Sequence, residues 1–375
     1  MTKTPSVNHL VNRNVIDLGA YNAGLSIAEL KKKYDVKQVA KLASNENPFP
    51  TSTAVLHALQ ESDNLSHYPD PYCKALCSVL AKELDVSEKS IVIGNGSEDL
   101  LSIISRVFTE TGDKVMTIVP SFGLHISYPK ACGANMLIAH LTDDLEFDLD
   151  KITTMLKTEK PKLFFIASPC NPVGCSLNKE EVQRIIDSVS DETLLIFDEA
   201  YYEYAKDDAD YPDVLALLKA SEKPFVLLRT FSKAYSLAGL RIGYGVFFPT
   251  QLADYAHKLR TPFNVNRLAQ SAAIAALQDH DSLAKTIAWN NTARAKMMSE
   301  LQALGLSPQT SKGNYLFFAT HWDGTELAQH LLRHGVIVKP WLEQGYEKYI
   351  RVSIGNEAEN AQFVSCLNMI LNTPA

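Results

Sequence analysis

Apolar residues in this chain alternate between two periodicities. Short continuous apolar runs at 114–119, 135–140, 163–167, 194–197, 225–228 and 243–248 read as strands buried on both faces. Helical patterns separate them, such as 179–189, opened by Asn178 with Glu181 three positions later in the form of a capping box. Continuous apolar strands divided by helices predict an α/β fold, with a mostly parallel central sheet sandwiched by helices in a large domain. Before that sheet, 29–34 and 53–60 read as short helices, and 42–48 is a breaker-rich loop. After it, the long helical patterns 267–277 and 283–304 lead away, and Gly305, Pro308 and Gly313 break the second. The remainder predicts strands at 315–319, 336–338 and 349–354 and helices at 326–333 and 357–371, a smaller α+β domain. The expected division is an N-terminal arm (1–45) joining the small domain, a large domain (46–265) and the small domain (266–375).

Composition narrows the function classes. A chain of 375 residues with 46% hydrophobic and 21% charged residues is an ordinary globular protein. Its net charge of −7 gives no basic footprint for nucleic acid. Met1 to Leu10 is polar and lacks the apolar core of a signal peptide, and no run approaches the roughly 18 apolar residues of a membrane span. Six cysteines in a chain this long do not suggest a disulfide scaffold. Cys73-x3-Cys77 and Cys170-x4-Cys175 lack a second pair at zinc spacing, so no metal is expected. The expectation is a cytoplasmic protein with reduced thiols.

Ligands on parallel sheets gather at the carboxyl ends of the strands. Gly96, Phe122, Asn171, Asp198, Tyr201 and Lys233 all follow strand-like runs. Lys233 stands in Thr230-Phe-Ser-Lys-Ala-Tyr-Ser-Leu-Ala-Gly-Leu-Arg-Ile-Gly243, among small residues that allow close approach. A lysine held there, out of water, becomes an amine nucleophile toward a carbonyl. Arg241, eight positions on, can fork onto a phosphate. One aldehyde partner and one phosphate together describe pyridoxal 5′-phosphate (PLP). Asp198 closes a buried strand and needs a cation, which a protonated pyridine nitrogen provides. Gly94-Asn95-Gly96-Ser97 joins a strand to a helix start, where free N–H groups form an anion site. Taken singly, each has a bland reading: a surface lysine, a turn asparagine, a capping aspartate, a core tyrosine. Their shared placement favours the joint one. A nicotinamide dinucleotide site fits poorly, because Asp99 stands where Gly-x-Gly-x-x-Gly needs its third glycine.

Asn171-Pro-Val-Gly, Asp198-Glu-Ala-Tyr and the 230–241 stretch resemble the fold-type-I, class II PLP aminotransferases, and within them the histidinol-phosphate aminotransferases. The resemblance runs from Asn45-Glu-Asn-Pro and Tyr68-Pro-Asp-Pro to Tyr349-Ile-Arg-Val-Ser-Ile-Gly. It implies that Lys233 binds PLP covalently and later shuttles a proton between the substrate Cα and the cofactor's C4′. It pairs Asp198 with the pyridinium, and Tyr201 and Asn171 with the ring O3′. Phe122 would stack on the ring, where the family often has tyrosine. Gly96, Ser97 and Glu98, mainly through backbone groups, would cradle the phosphate with Thr230 or Ser232 and Arg241. Tyr68 would reach the phosphate in the neighbouring subunit of a homodimer. Arg351 matches the arginine that binds the anionic end of the substrate, and Tyr21, Asn45 and Asn314 resemble further substrate contacts. Lys339 stands about where many relatives carry a second arginine, keeping the charge without the fork. The implied reaction is transamination between L-glutamate and imidazole-acetol phosphate, giving L-histidinol phosphate and 2-oxoglutarate. Similar chemistry would serve an aromatic amino-acid aminotransferase, a threonine-phosphate-type decarboxylase or a non-catalytic PLP-binding regulator. Such regulators usually append a basic helix-turn-helix, for which the polar start here is too short.

Overall fold

The computed structural model describes residues 7–20, 25–62 and 64–372. Its largest sheet has seven strands: β2 Ile91–Gly94, β3 Lys114–Val119, β4 Asn135–His140, β5 Leu163–Ala167, β6 Leu194–Asp198, β7 Phe225–Thr230 and β8 Gly243–Phe248. A short β1, Ala40–Lys41, precedes them, and β9 Tyr315–Ala319, β10 Val336–Ile337, β11 Lys339–Pro340 and β12 Tyr349–Ser353 follow.

The large sheet runs in the order β2-β8-β7-β6-β5-β3-β4. Neighbours from β7 to β4 are parallel, as the apolar pattern predicts. The run 243–248 is also a strand, but β8 lies antiparallel to both β7 and β2. The link from β7 to β8 holds only a 3-10 turn, Ala238–Leu240, and no crossover helix. Burial on both faces explains the continuous runs. Phe164, Ile166, Leu195, Phe197, Phe225 and Leu227 enter one core, while Leu163, Phe165, Leu194, Ile196, Val226 and Leu228 enter another on the opposite face. Each such side chain contributes roughly 1.5–3 kcal/mol by leaving water.

Helix starts follow local signals. Asn178 caps Lys179–Ser188 in a complete capping box with Glu181. The long helix begins at His280, three residues before the predicted 283, because the Asp279 side chain accepts from the Ser282 N–H.

The small antiparallel sheet has the order β11-β12-β9. Leu316, Phe318, Ile350 and Val352 on one face form a separate core. Strand alternation therefore turns Tyr315, Phe317, Arg351 and Ser353 to the other face, and Lys339 lies directly opposite Arg351. The predicted strand 336–338 is divided at Val338. β10 pairs with β1, placing Ala40 opposite Val336, while β11 turns to β12.

Candidate active site

The ends of β6 and β7 supply the two groups at the centre. Asp198 is buried; one carboxylate oxygen accepts from the Ala200 N–H at 3.1 Å, and the other lies 3.1 Å from His125 Nε2. His125 is fully buried, with Nδ1 3.2 Å from Ser121 Oγ and its ring stacked on Phe165 at 5.6 Å. A buried carboxylate without partners would cost several kcal/mol, and these contacts fix its orientation as well as offsetting that cost. Phe122 meets the same imidazole edge-on at 5.9 Å.

Lys233 is half-buried; its Nζ donates to the Ser44 carbonyl at 2.9 Å and lies 5.9 Å from the Tyr201 ring centre. Burial first, and then the Arg351 charge, push its pKa down to about 8, with Glu46 opposing. A fair share of this amine is therefore neutral in mildly alkaline solution.

A second group gathers at the N-terminus of the helix Ser97–Phe108. Gly96 precedes the helix at φ +85° with no side-chain cap, so the first N–H groups stay open. A Cβ on Gly96 would come 2.8 Å from Arg241 Nη2, and one on Gly243 would come 2.5 Å from the Ser97 nitrogen. At Gly243 the obstacle would be backbone, so only glycine fits; at Gly96 the positive φ is what favours glycine. Thr230 Oγ1 donates to Ser232 Oγ at 3.0 Å beside them. The Glu98 carboxylate accepts from the Tyr128 hydroxyl at 3.1 Å and faces Arg241 at 3.5 Å, which leaves its backbone for an anion. Helix N–H groups, an arginine fork and two hydroxyls make an anion cradle.

The small sheet supplies the third group. Arg351 is buried and bonds through Nη1 to Asn171 Oδ1 and through Nη2 to the Ala43 carbonyl, while its Nε is buried without a hydrogen-bond partner. Lys339 is half-buried, and burial followed by the Arg351 charge lowers its pKa. Asn45 is fully buried; its amide donates to the Tyr201 hydroxyl at 2.8 Å and its Oδ1 accepts from Ser353 at 2.8 Å. Its donor and acceptor both serve the protein, which joins Tyr201 to the small sheet. Asn314 donates to the Asn45 carbonyl at 3.0 Å and keeps a buried Oδ1 without a partner.

Most residues singled out in the sequence thus fall into three adjoining groups. Tyr68 lies apart, 77% exposed and stacked on Phe263. Tyr21 is outside the described residues. The sequence reading missed His125 and Ser353; the only signal for His125 was its place three residues after Phe122.

These groups fit PLP moiety by moiety. A buried carboxylate suits the ring nitrogen, a lysine of lowered pKa suits the aldehyde, and the glycine-lined cradle suits the phosphate. Among the described residues, no three His, Cys, Asp or Glu side chains gather as a metal-ligand set, and no helix is long and apolar enough to cross a membrane.

Fold and site define an enzyme of the aminotransferase class. Residues 37–367 match the model of the family "aminotransferase class I and II", and the chain belongs to that family. It is 42% identical over 365 residues to histidinol-phosphate aminotransferase 1 of Mesorhizobium japonicum, covering 96% of this chain and 98% of that one. Histidinol-phosphate aminotransferase 3 of Rhizobium meliloti is 41% identical over 361 residues, with 96% and 97% covered. The crystal structure of histidinol-phosphate aminotransferase from Sinorhizobium meliloti, in complex with pyridoxal-5′-phosphate, superposes with a TM-score of 0.86 at 28% identity, over 96% and 97% of the two chains.

Proposed function

We propose that this protein is a PLP-dependent aminotransferase of histidine biosynthesis, in which L-glutamate gives its amino group and imidazole-acetol phosphate receives it to become L-histidinol phosphate. The observation that carries this reading is the pair of cations Lys339 and Arg351, opposite one another on adjoining strands beside Asn171. Two adjacent positive charges suit a phosphate dianion better than one carboxylate. Full-length similarity to histidinol-phosphate aminotransferases supports the same assignment.

Bound PLP supplies the carbonyl that takes up the amino group and a protonated ring that withdraws electrons from the reacting carbon. Asp198, oriented by His125, would hold the proton on the ring nitrogen. Tyr201 and Asn171 would face the ring O3′, and Phe122 would lie against the ring. Gly96, Ser97 and the Glu98 backbone, with Thr230, Ser232 and Arg241, would hold the phosphate. Lys233 would anchor PLP and would take the proton from the substrate Cα; its lowered pKa suits a general base. Arg351 would bind the carboxylate of glutamate in one half-reaction and the phosphate in the other, with Lys339 adding charge. Asn45 and Asn314 would border this end through the contacts that join them to Tyr201 and the small sheet.

The same reading makes the protein a cytoplasmic homodimer. Tyr68, Leu65, Tyr72 and Leu259 are exposed apolar groups of the kind that supports pairing, with Tyr68 reaching the phosphate of the neighbouring subunit's PLP. Separate apolar cores support a PLP-binding domain and a small domain. Ala40 and Leu42 of the arm 1–45 enter the small core, while Ala269, Ala272, Ala273, Ala276 and Leu277 enter the large one, so the division expected between 46–265 and 266–375 falls after the helix Arg267–Gln278 rather than before it.

The test is a half-reaction on PLP-loaded protein, following the absorbance of the lysine-bound cofactor after adding L-histidinol phosphate or L-phenylalanine. Rapid loss of the band with low concentrations of histidinol phosphate, and a weak response to phenylalanine, is expected. The reverse preference would make the protein an aromatic amino-acid aminotransferase.

A further inference from the structure

We propose that Tyr315 is a positioning residue that sets the substrate-anion arginine, Arg351, and the Asn171 turn against each other. This rests on the reading of Arg351 given above. Tyr315 begins β9 and is fully buried, a place where a tyrosine usually serves as core. Its contacts are more particular than that. The hydroxyl donates at 2.6 Å to the carbonyl of Cys170, the residue before Asn171. The ring lies under the Arg351 guanidinium at 5.6 Å and meets Tyr201 edge-on at 4.9 Å. Opposite it on β12 stands Ser353, which holds Asn45.

One side chain therefore touches the cation, the ring of Tyr201 and the main chain that carries Asn171. Arg351 is long and flexible, and its fork is useful only in one orientation. The Tyr315 ring restricts the guanidinium from below, while the hydroxyl holds the turn that supplies Asn171 Oδ1 to Arg351. Both ends of the Arg351–Asn171 contact thus rest on the same residue.

The backbone around this clamp is fitted to it. The Lys312 N–H donates to the Gly174 carbonyl at 2.9 Å. A Cβ on Gly174, which has φ +97°, would overlap the Ser311 side chain, and one on Gly313 would come 2.5 Å from the Tyr315 ring. Segment 311–315 and turn 170–174 therefore interlock at Gly174, while Gly313 lets segment 311–315 fold close over the Tyr315 ring, so the small sheet meets the loop after β5 in one register.

The test compares Tyr315→Phe, which keeps the ring, with Tyr315→Leu, which removes it. Tyr204→Phe, in the same buried aromatic cluster, is the control. Two readouts are needed. In the full-length protein without substrate, hydrogen exchange in 170–175 should speed up in Tyr315→Phe and stay unchanged in Tyr204→Phe. In steady state, Tyr315→Phe should raise KM about 3- to 10-fold, the worth of one neutral hydrogen bond, with kcat within about twofold. Tyr315→Leu should raise KM further, so that phenylalanine restores part of the loss. KM is read on whichever amino acid the wild type consumes in the half-reaction, so failure of the histidinol phosphate assignment leaves this test intact. Wild-type exchange at 170–175, or an unchanged KM in folded Tyr315→Phe, overturns the proposal. So does a loss confined to melting temperature and active fraction.

Discussion

Asp198, Thr230 and Lys233 stand at or just past the ends of strands buried on both faces, whereas Lys339, Arg351 and Ser353 stand on one face of a sheet whose other face is its own core. The strand ends aim their groups by where the backbone stops, and neighbouring parallel strands stop at the same edge. On the small sheet, alternation does the aiming. A slip of one residue in β12 would turn Arg351 into the core and Ile350 or Val352 toward the cofactor side. The strand-end half of the site, which we propose holds the cofactor, is therefore set by local chain order, and the small-sheet half, proposed for the substrate, by register and by contacts between the two sheets.

Substitutions can break this contrast or sharpen it, and the largest effect belongs to the strand-end half. Asp198→Asn keeps the shape but removes the charge proposed to hold the ring-nitrogen proton; kcat should fall on the order of 10²–10³-fold, by analogy with loss of one electrostatic stabiliser. Steady-state rates on protein shown by absorbance to hold PLP would decide it, and a fall of under tenfold would mean that the carboxylate does not play this part.

On the register-dependent half, Arg351→Lys keeps the charge and loses the fork. KM for both substrates should rise roughly 10- to 100-fold with a smaller change in kcat. A fall in kcat with KM unchanged would place Arg351 outside substrate binding.

The two halves are also coupled electrically. After burial, the Arg351 charge is the next cause of the lowered Lys233 pKa. Lys233 loses its proton as pH rises through about 8, so covalent uptake of PLP by cofactor-free protein should accelerate through that range and level off above it. Arg351→Gln removes a neighbouring positive charge, which favours the protonated amine and moves the midpoint to higher pH, by about one unit or less. Stopped-flow absorbance across pH would measure both; an unmoved midpoint would show that the halves titrate independently.

The smallest effect is expected at Lys339. Lys339→Arg restores a second fork and should lower KM for histidinol phosphate about two- to fivefold, with little effect on glutamate. Equal changes for both substrates would remove the distinction between dianion and carboxylate.

Particular residues show how far the sequence was legible. The runs 114–119, 135–140, 163–167 and 243–248 became strands with those bounds, because burial on both faces leaves no ambiguity of face. The capping box at Asn178 formed because its two hydrogen bonds span three residues. Local spacing carried no sign that β8 would run antiparallel, since direction depends on what the connection packs against. His125 drew no reading from the sequence, because its partner Asp198 lies 73 residues on and only the fold brings the two to 3.1 Å. Asn45, expected as a substrate contact, bonds through its side chain to Tyr201 and Ser353, partners 156 and 308 positions away that the sequence did not point to.

The sequence by itself determined the alternation of strands and helices, the strand-end placement of Asp198, Thr230 and Lys233, and the glycines at the open helix N-terminus. Each follows from interactions between residues a few positions apart, or from burial patterns that repeat every two or 3.6 residues. Only the tertiary structure decided that Lys339 faces Arg351, that Tyr315 reaches the carbonyl before Asn171, and that His125 orients Asp198. Those contacts join residues that the chain keeps far apart. Short-range preferences do not encode such pairings, which are fixed when the two cores close and set the register of one sheet against the other.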